Sequence, residues 1–410
     1  MEIYLVGGAV RDQLLGLPVK DRDWVVVGST PAEMSAAGYR PIGKDFPVFL
    51  HPESHEEYAL ARTERKSAPG YHGFNFHAEP EVTLEEDLRR RDLTINAIAQ
   101  AADGSLIDPF DGQGDIERRE LRHVSSAFAE DPVRLLRIAR FLARFHLTGF
   151  TIADDTNAMM RSMVESGEAD ALVAERVWQE IEKTLNEPSP EQFFYALRDC
   201  DALNTIIPEI DALFGVPQPE QWHPEIDSGV HTMMTLQQAC RLSVDPLVRF
   251  AALCHDLGKA KTPKDKLPSH PGHEEVGATI TSELCQRLRV PGRYRDIAEL
   301  VARYHTHVHR AQELSASRLT RLLGSFDVIR KPDRLELILL ACEADARGRT
   351  GFEDRDYPQA DFIREAAKIY TAVDAAAIAR SVQDPKNTAE KIVQARVLAI
   401  KAWLHSTASG

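Results

Sequence analysis

Gly7-Gly8-Ala9-Val10-Arg11-Asp12 and, a short way on, Asp21-Arg22-Asp23-Trp24 are the stretches that decide how the head of this chain folds. The apolar run Ile3–Val6 enters the glycine pair as a β-strand, and the pattern from Ala9 to Leu15 leaves it as a helix. Glycines let the backbone come close to a triphosphate, and a helix N-terminus presents unpaired N–H groups to its oxygens. Arg11, in the first helical turn, adds a fork of donors. Asp21 and Asp23 stand two apart on the next expected strand, so their carboxylates share one face. Two hard oxygen ligands beside a phosphate-binding turn suit Mg²⁺. Such a site can activate a hydroxyl against a nucleoside triphosphate and neutralise the departing pyrophosphate. Gly8, Arg11, Asp21 and Asp23 are the first candidates.

Around this nucleus, 410 residues are too many for one ordinary core and imply two to four domains. With 43% apolar and 27% charged residues, the composition is that of a soluble globular protein. No apolar run approaches the ~20 residues of a membrane span. The opening MEIYLVGGAV lacks a basic region and reads as a first strand rather than a signal peptide. Five scattered cysteines without CxxC spacing fit a reduced, cytoplasmic setting. The net charge of −14 excludes a global attraction to nucleic acid, so any RNA contact must be local. Arginines do cluster, at Arg89-Arg90-Arg91, at Arg118-Arg119-Arg122, and at Arg134, Arg137, Arg140 and Arg144.

Short β-type runs and glycine turns continue to about residue 122, and helical periodicity holds from about 123 nearly to the end. The expected fold class is α+β: a small mixed α/β head over 1–122, then an all-helical neck and body over 123–222. A histidine-rich helical domain over 228–350 and a helical tail over 351–410 follow. Gly215-Val-Pro-Gln-Pro-Glu-Gln-Trp-His-Pro-Glu reads as a linker.

GGAVRD followed by DRDW resembles the active-site signature of the nucleotidyltransferase superfamily that includes DNA polymerase β. More narrowly, it resembles the class II (bacterial) CCA-adding tRNA nucleotidyltransferases and their poly(A) polymerase relatives. Asp87-Leu88-Arg89-Arg90-Arg91-Asp92-Leu93-Thr94-Ile95-Asn96-Ala97 resembles the family's RRDFTINA block, with Leu93 for the usual Phe. Asp108-Pro109-Phe110-Asp111-Gly112 resembles its DPFxG turn, and Glu130-Asp131-Pro132-Val133-Arg134-Leu135-Leu136-Arg137 its EDxxRxxR helix. Glu175-Arg176 with Glu180-Ile181-Glu182-Lys183 resembles a fifth block. The resemblance implies that Asp131 and Arg134, one helical turn apart, read the incoming base, and that Arg91, Arg137 and Arg140 contact nucleotide phosphates. The chemistry is coherent: cytosine and adenine carry an amino group where uracil and guanine carry a carbonyl, and a carboxylate–guanidinium pair separates the two sets. Asp131 also suits a helix cap. Glu57 is a further acid near the metal pair. The polar stretch Glu64–Gly73 matches a family loop that helps switch from C to A addition.

Cys254-His255-Asp256-Leu257-Gly258-Lys259 closes an apolar helix and resembles the HD phosphohydrolase superfamily. His231 precedes it on a separate expected helix, and His273, His305 and Asp345 follow. Imidazole and carboxylate ligands from different helices suit a transition metal such as Ni, Mn or Co. His231, His255, Asp256 and Asp345 are the first ligands expected, with His273 and His305 as additions, while His307 and His309 read as surface residues.

The expected activity is template-independent addition of CCA to a tRNA 3′ acceptor end from CTP and ATP, with a second phosphohydrolase activity. The alternatives are a poly(A) polymerase and an HD phosphohydrolase with a regulatory nucleotide-binding head. No membrane partner is expected, and the sequence leaves monomer and homodimer open.

Overall fold

A computed structural model describes residues 1–42, 48–66, 74–77 and 79–408. The chain divides into two compact units, Met1–Ile206 and Ile207–Gly410.

The first unit is built on a seven-stranded mixed sheet. Its strands are β1 (Glu2–Val6), β2 (Asp23–Val27), β3 (Arg40–Pro41), β4 (Val48–Leu50) and β5 (Glu57–Leu60), with β6 (Thr63–Lys66) and β7 (Phe74–His77) paired separately. β8 (Ala99–Gln100) and β9 (Leu106–Ile107) complete the order β3-β4-β5-β2-β1-β8-β9. Central β2 alternates its valines between two cores. Val25 joins Val6, Leu88 and Ala97 on one face, and Val26 joins Met34, Phe49 and Leu60 on the other. Each fully buried side chain of this kind contributes roughly 1.5–3 kcal/mol, so slipping β2 by one residue would put both cores out of register.

That register builds the site. β1 runs antiparallel to β2 with Val6 opposite Asp23, and β2 runs parallel to β5 with Asp23 opposite Glu57. The end of β1, the start of β2 and the start of β5 therefore lie at one edge of the sheet. The glycine turn leaves there into the helix Gly8–Leu14. Asp23 is the first residue of β2, whereas Asp21 precedes the strand and is exposed. The expectation that both aspartates lie on the strand is corrected: hydrogen-bonded pairing with β1 begins only at Asp23.

A helix over Val133–Phe145 and another over Ala174–Thr184 pack together in the same unit. The DPFDG turn locks the head from below. Asp108 accepts from the backbone N–H of Gly112 and Gln113, both at 2.8 Å. A Cβ on Gly112 would lie 2.3 Å from the Thr94 carbonyl oxygen.

The second unit is helical. Ser228–Leu242, Pro246–Cys254, His273–Arg287, Gly292–His309 and Asp333–Arg347 pack on one another. Asp227 and Asp245 cap the first two through their side chains, and Pro246 occupies the first turn. The proline-rich stretch from Gly215 is not a linker, contrary to the expectation. It has no helical pattern, but its polar side chains turn inward: Gln218 is 2% exposed and accepts from the Lys259 ammonium at 2.7 Å.

Gly112→Ala should destabilise the protein by at least about 2 kcal/mol, because the obstacle is backbone that cannot rotate away. At roughly 2–4 °C per kcal/mol for a unit of this size, thermal unfolding should show a clear fall in Tm. An unchanged Tm would contradict the packing described.

Candidate active sites

The head cleft encloses about 600 Å³ and is lined by Gly7, Gly8, Asp23 and Glu57 on one side and by arginines on the other. Gly7 has φ +70°, and a Cβ there would meet an Arg91 guanidinium nitrogen at 3.0 Å. Gly8, the first residue of its helix, would meet Arg11 only at an ordinary 3.5 Å, so the backbone demand falls on Gly7. Burial raises the Asp23 pKa, with Arg91 opposing and Asp21 reinforcing the shift. A carboxylate that is costly to ionise beside a second acid fits a cation as counter-charge.

The arginines are each anchored from behind. Arg11, 3% exposed, gives Nε and Nη2 to Asp12 and Nη1 to Asn96 at 2.6 Å, and lies over the Phe141 and Phe145 rings. Its fork is occupied inside the wall, which departs from the expectation of donors open to phosphate. Arg144 reaches the other Asp12 oxygen at 3.1 Å. Arg137 donates to Asp92 at 2.7 Å, and Asp92 also accepts from Leu93 N–H and from Asn96. Burial opposes ionisation of Asp92, yet Arg137 and these donors hold it well below the usual carboxylate range. Arg91 donates to Asp87 at 3.3 Å. Arg140 is held by Glu180 at 2.7 Å and by Glu187 at 3.5 Å.

The helix over Val133–Phe145 starts one residue later than Pro at its first position would give. Asp131 caps it by accepting from Val133 N–H at 3.1 Å. The same carboxylate takes a two-point ion pair from Arg176, at 3.1 and 3.0 Å. Arg134 is buried and donates to the carbonyls of Ala127 and Arg90 at 2.7 and 2.6 Å. The cleft thus includes Arg176, to which sequence reasoning gave no role although the fifth block contains it. Of the expected loop Glu64–Gly73, residues 67–73 lie outside the described residues.

In the second unit, His231, His255, Asp256 and Asp345 converge from three helices and the turn after Cys254. His231 Nε2 lies 3.1 Å from Asp345 Oδ1 and 3.8 Å from Asp256 Oδ2. His255 Nε2 lies 3.0 Å from Asp256 Oδ2 and 3.7 Å from Asp345 Oδ1. All four are essentially buried. Burial opposes ionisation of both carboxylates, but neighbouring histidines, and Lys259 beside Asp256, hold them well below their ordinary range. The tautomers follow from the partners, because a carbonyl can only accept. His231 Nδ1 donates to Gly348 O at 2.9 Å and His255 Nδ1 to Ala252 O at 2.7 Å. Each neutral ring then turns a lone pair on Nε2 towards two carboxylates, a donor set that fits a transition-metal ion.

His309 is not a surface residue. It donates to or accepts from Tyr357 at 2.8 Å and sits 2.6 Å from Asp345 Oδ2. Its place four residues after His305 on one helix is the signal that would have found it; His307, between them, is exposed. Lys259 (2.5 Å from Asp256 Oδ2) and Glu225 (3.1 Å from His231 Nδ1) were likewise missed.

Three family models match: a poly(A) polymerase head domain over residues 3–122, a probable RNA and SrmB-binding site of polymerase A over 149–214, and an HD domain over 229–347. The multifunctional CCA protein of Thioalkalivibrio sulfidiphilus is 61% identical over 401 residues, covering 98% of each chain. That of Alkalilimnicola ehrlichii is 58% identical, covering 98% of this chain and 97% of its own. The chain belongs to the multifunctional CCA protein family. A Thermotoga maritima CCA-adding enzyme complexed with tRNA shares the fold, with TM-score 0.62 at 19% identity over 98% of this chain and 87% of that one. A CCA-adding enzyme solved with CTP does so with TM-score 0.63 at 20% identity, covering 98% and 87%. The α+β class expected from the sequence is thereby shown. No helix among the described residues is long and apolar enough to cross a membrane.

In this CCA protein Arg140 holds Glu180, a carboxylate only 4% exposed, so Arg140→Ala should lower stability as well as triphosphate use. The stability loss expected is about 1–3 kcal/mol, for a buried acceptor left with fewer partners. Thermal unfolding decides the point, since an arginine serving phosphates alone would leave Tm unchanged.

Proposed function

We propose that the chain adds CCA to the 3′ end of tRNA from CTP and ATP without a nucleic-acid template, releasing pyrophosphate. The observation that carries this reading is the head cleft, where Asp23 and Glu57 share a sheet edge opposite a wall of anchored arginines. Membership in the family supports it, as do the solved relatives with tRNA and with CTP. The poly(A) polymerase alternative keeps the head domain but leaves the HD domain without a role.

Asp21 and Asp23 would hold Mg²⁺, with Glu57 as a third acid on the adjoining strand. Bound there, Mg²⁺ supplies charge neutralisation at the reacting phosphate and activation of the tRNA 3′-hydroxyl. Arg91, Arg137 and Arg140 orient the triphosphate, and Gly8 keeps the turn open to it. Arg11 positions that wall through Asp12 and Asn96. Asp131 and Arg134 present acceptor and donor to the edge of the incoming base, and Arg176 fixes the Asp131 carboxylate in place. The amino groups of cytosine and adenine satisfy Asp131, while the carbonyls of uracil and guanine face it with like partial charge. tRNA, held by shape and phosphate contacts, places the activity in the cytoplasm.

His231, His255, Asp256 and Asp345 would hold a divalent transition metal such as Ni, Mn or Co. That ion supplies a Lewis acid to a phosphate ester. Lys259 and Arg349 line the same cleft of about 780 Å³ and give it positive charge for a phosphate group. The domain therefore hydrolyses phosphomonoesters or phosphodiesters.

Incubating tRNA that lacks CCA with Mg²⁺ and each labelled triphosphate alone tests the first activity. Asp21→Ala and Asp23→Ala should each reduce addition by at least 100-fold, by the scale of one lost charge-stabilising group, with tRNA binding retained. Near-wild-type addition by both variants refutes the site. Arg176→Ala should relax rejection of UTP and GTP more than it weakens triphosphate binding.

The HD activity should separate from addition. His255→Ala should abolish Ni-, Mn- or Co-dependent hydrolysis of phosphate esters and leave CCA addition intact. Loss of both activities, or no hydrolysis by the wild type with any of these ions, contradicts this division.

A further inference from the structure

The four ligands named for the HD ion do not account for the whole cluster. Asp256 turns its second oxygen, Oδ1, away from His231 and His255. That oxygen is buried and makes no hydrogen bond. It lies 3.3 Å from His273 Nε2 and 3.5 Å from His305 Nε2, close but not aligned for bonding. The two ring nitrogens are themselves 3.3 Å apart. Their tautomers are fixed from the other side: His273 Nδ1 donates to His270 O at 2.7 Å, and His305 Nδ1 to the carbonyls of Val301 and Ala302 at 3.1 Å. In the neutral rings both Nε2 atoms are then acceptors. Three acceptors, two imidazole lone pairs and a carboxylate oxygen, face one another in a site where His305 is 3% exposed. Such a group is repulsive and poorly solvated unless something positive sits among it.

Resting on the reading of this cluster as a metal centre, we propose that it holds two cations rather than one, bridged by Asp256. The first is taken by His231, His255, Asp345 and Asp256 Oδ2, and the second by His273, His305 and Asp256 Oδ1. One ion cannot serve the whole set and remain useful. Six protein ligands would fill its coordination sphere, whereas a hydrolytic ion keeps a position open to water or substrate. Sharing Asp256 leaves each ion three or four protein ligands, with the remaining positions facing the cavity that Asp256, His273, His305 and Asp345 line. The imidazole-rich second triad selects the same class of ion as the first. Lys259, whose ammonium sits on Oδ2, is the resident positive charge on the other side of the bridge. It leaves Oδ1 without a counterpart.

The test is a metal count on untagged, full-length protein, stripped with chelator, loaded with Ni²⁺ in excess Mg²⁺ and desalted. An Asp21→Asn/Asp23→Asn background removes any contribution from the head. Two Ni²⁺ per chain are expected, falling to one in His273→Gln and in His305→Gln, with circular dichroism confirming that each variant is folded. As a second readout, Mn²⁺-loaded protein should give the electron paramagnetic resonance spectrum of a coupled pair, reverting to that of an isolated ion in either variant. One Ni²⁺ per chain in the unmodified cluster, with an isolated-ion Mn²⁺ spectrum, overturns the second site; a proton shared between His273 and His305 would then relieve their contact. A count of two that is unchanged in both glutamine variants overturns the ligand assignment. No bound Ni²⁺ at all overturns the underlying reading of the cluster as a metal centre, a result distinct from both.

Discussion

The alignment of Val6, Asp23 and Glu57 across three neighbouring strands is the constraint from which the head follows. It is enforced by packing some distance from the chemistry. Val25 and Val26 each belong to a different core, so the pairing of β2 with β1 and β5 cannot shift by one residue without exposing both. The cost of such a slip, several buried side chains at roughly 1.5–3 kcal/mol each, exceeds the repulsion of two acids brought together at the strand ends. The sheet can therefore hold carboxylates in a place they would not choose electrostatically. That stored repulsion is what a divalent cation relieves.

Facing these acids, the arginine wall solves the opposite problem. Several guanidinium groups around one cleft repel one another, and flexible ones would be costly to order on each substrate. Here each is backed by a carboxylate or carbonyl: Asp12 behind Arg11 and Arg144, Asp92 behind Arg137, Glu180 behind Arg140, and two carbonyls behind Arg134. Anchoring fixes the donors before the nucleotide arrives. It also reconciles an acidic chain with an anionic substrate, because part of the acidic excess is a second row that positions the basic one.

The head was legible because its signals are local. A glycine turn, an aspartate pair and ordered arginine blocks lie within short stretches, and the strand over Asp23–Val27 has the bounds its apolar run suggests. What escaped reading depends on contacts distant in sequence. Arg176 meets Asp131 across 45 positions, and no periodicity in either segment announces the pair. The stretch from Gly215 to Glu225 carries prolines and acids, the composition of a linker. Even so, Gln218 and Glu225 fold onto Lys259 and His231. His309 looked like one of several exposed histidines on a helix end; only the approach of Asp345 from another helix gives it a partner.

The two units also divide ion chemistry by ligand type rather than by geometry alone. In the head the candidate ligands are carboxylate oxygens, which suit a hard, hydrated ion that exchanges with its nucleotide. In the helical unit four histidines have Nδ1 tied to main-chain carbonyls, so the choice of tautomer is made by the backbone before any ion arrives. Main-chain partners cannot be protonated away or rotated aside, and they raise the basicity of the nitrogen left facing the site. A centre organised in this way binds softer ions and resists replacement by Mg²⁺, which favours oxygen. One chain can therefore run both activities in a common pool of ions, because each site rejects the cation the other needs.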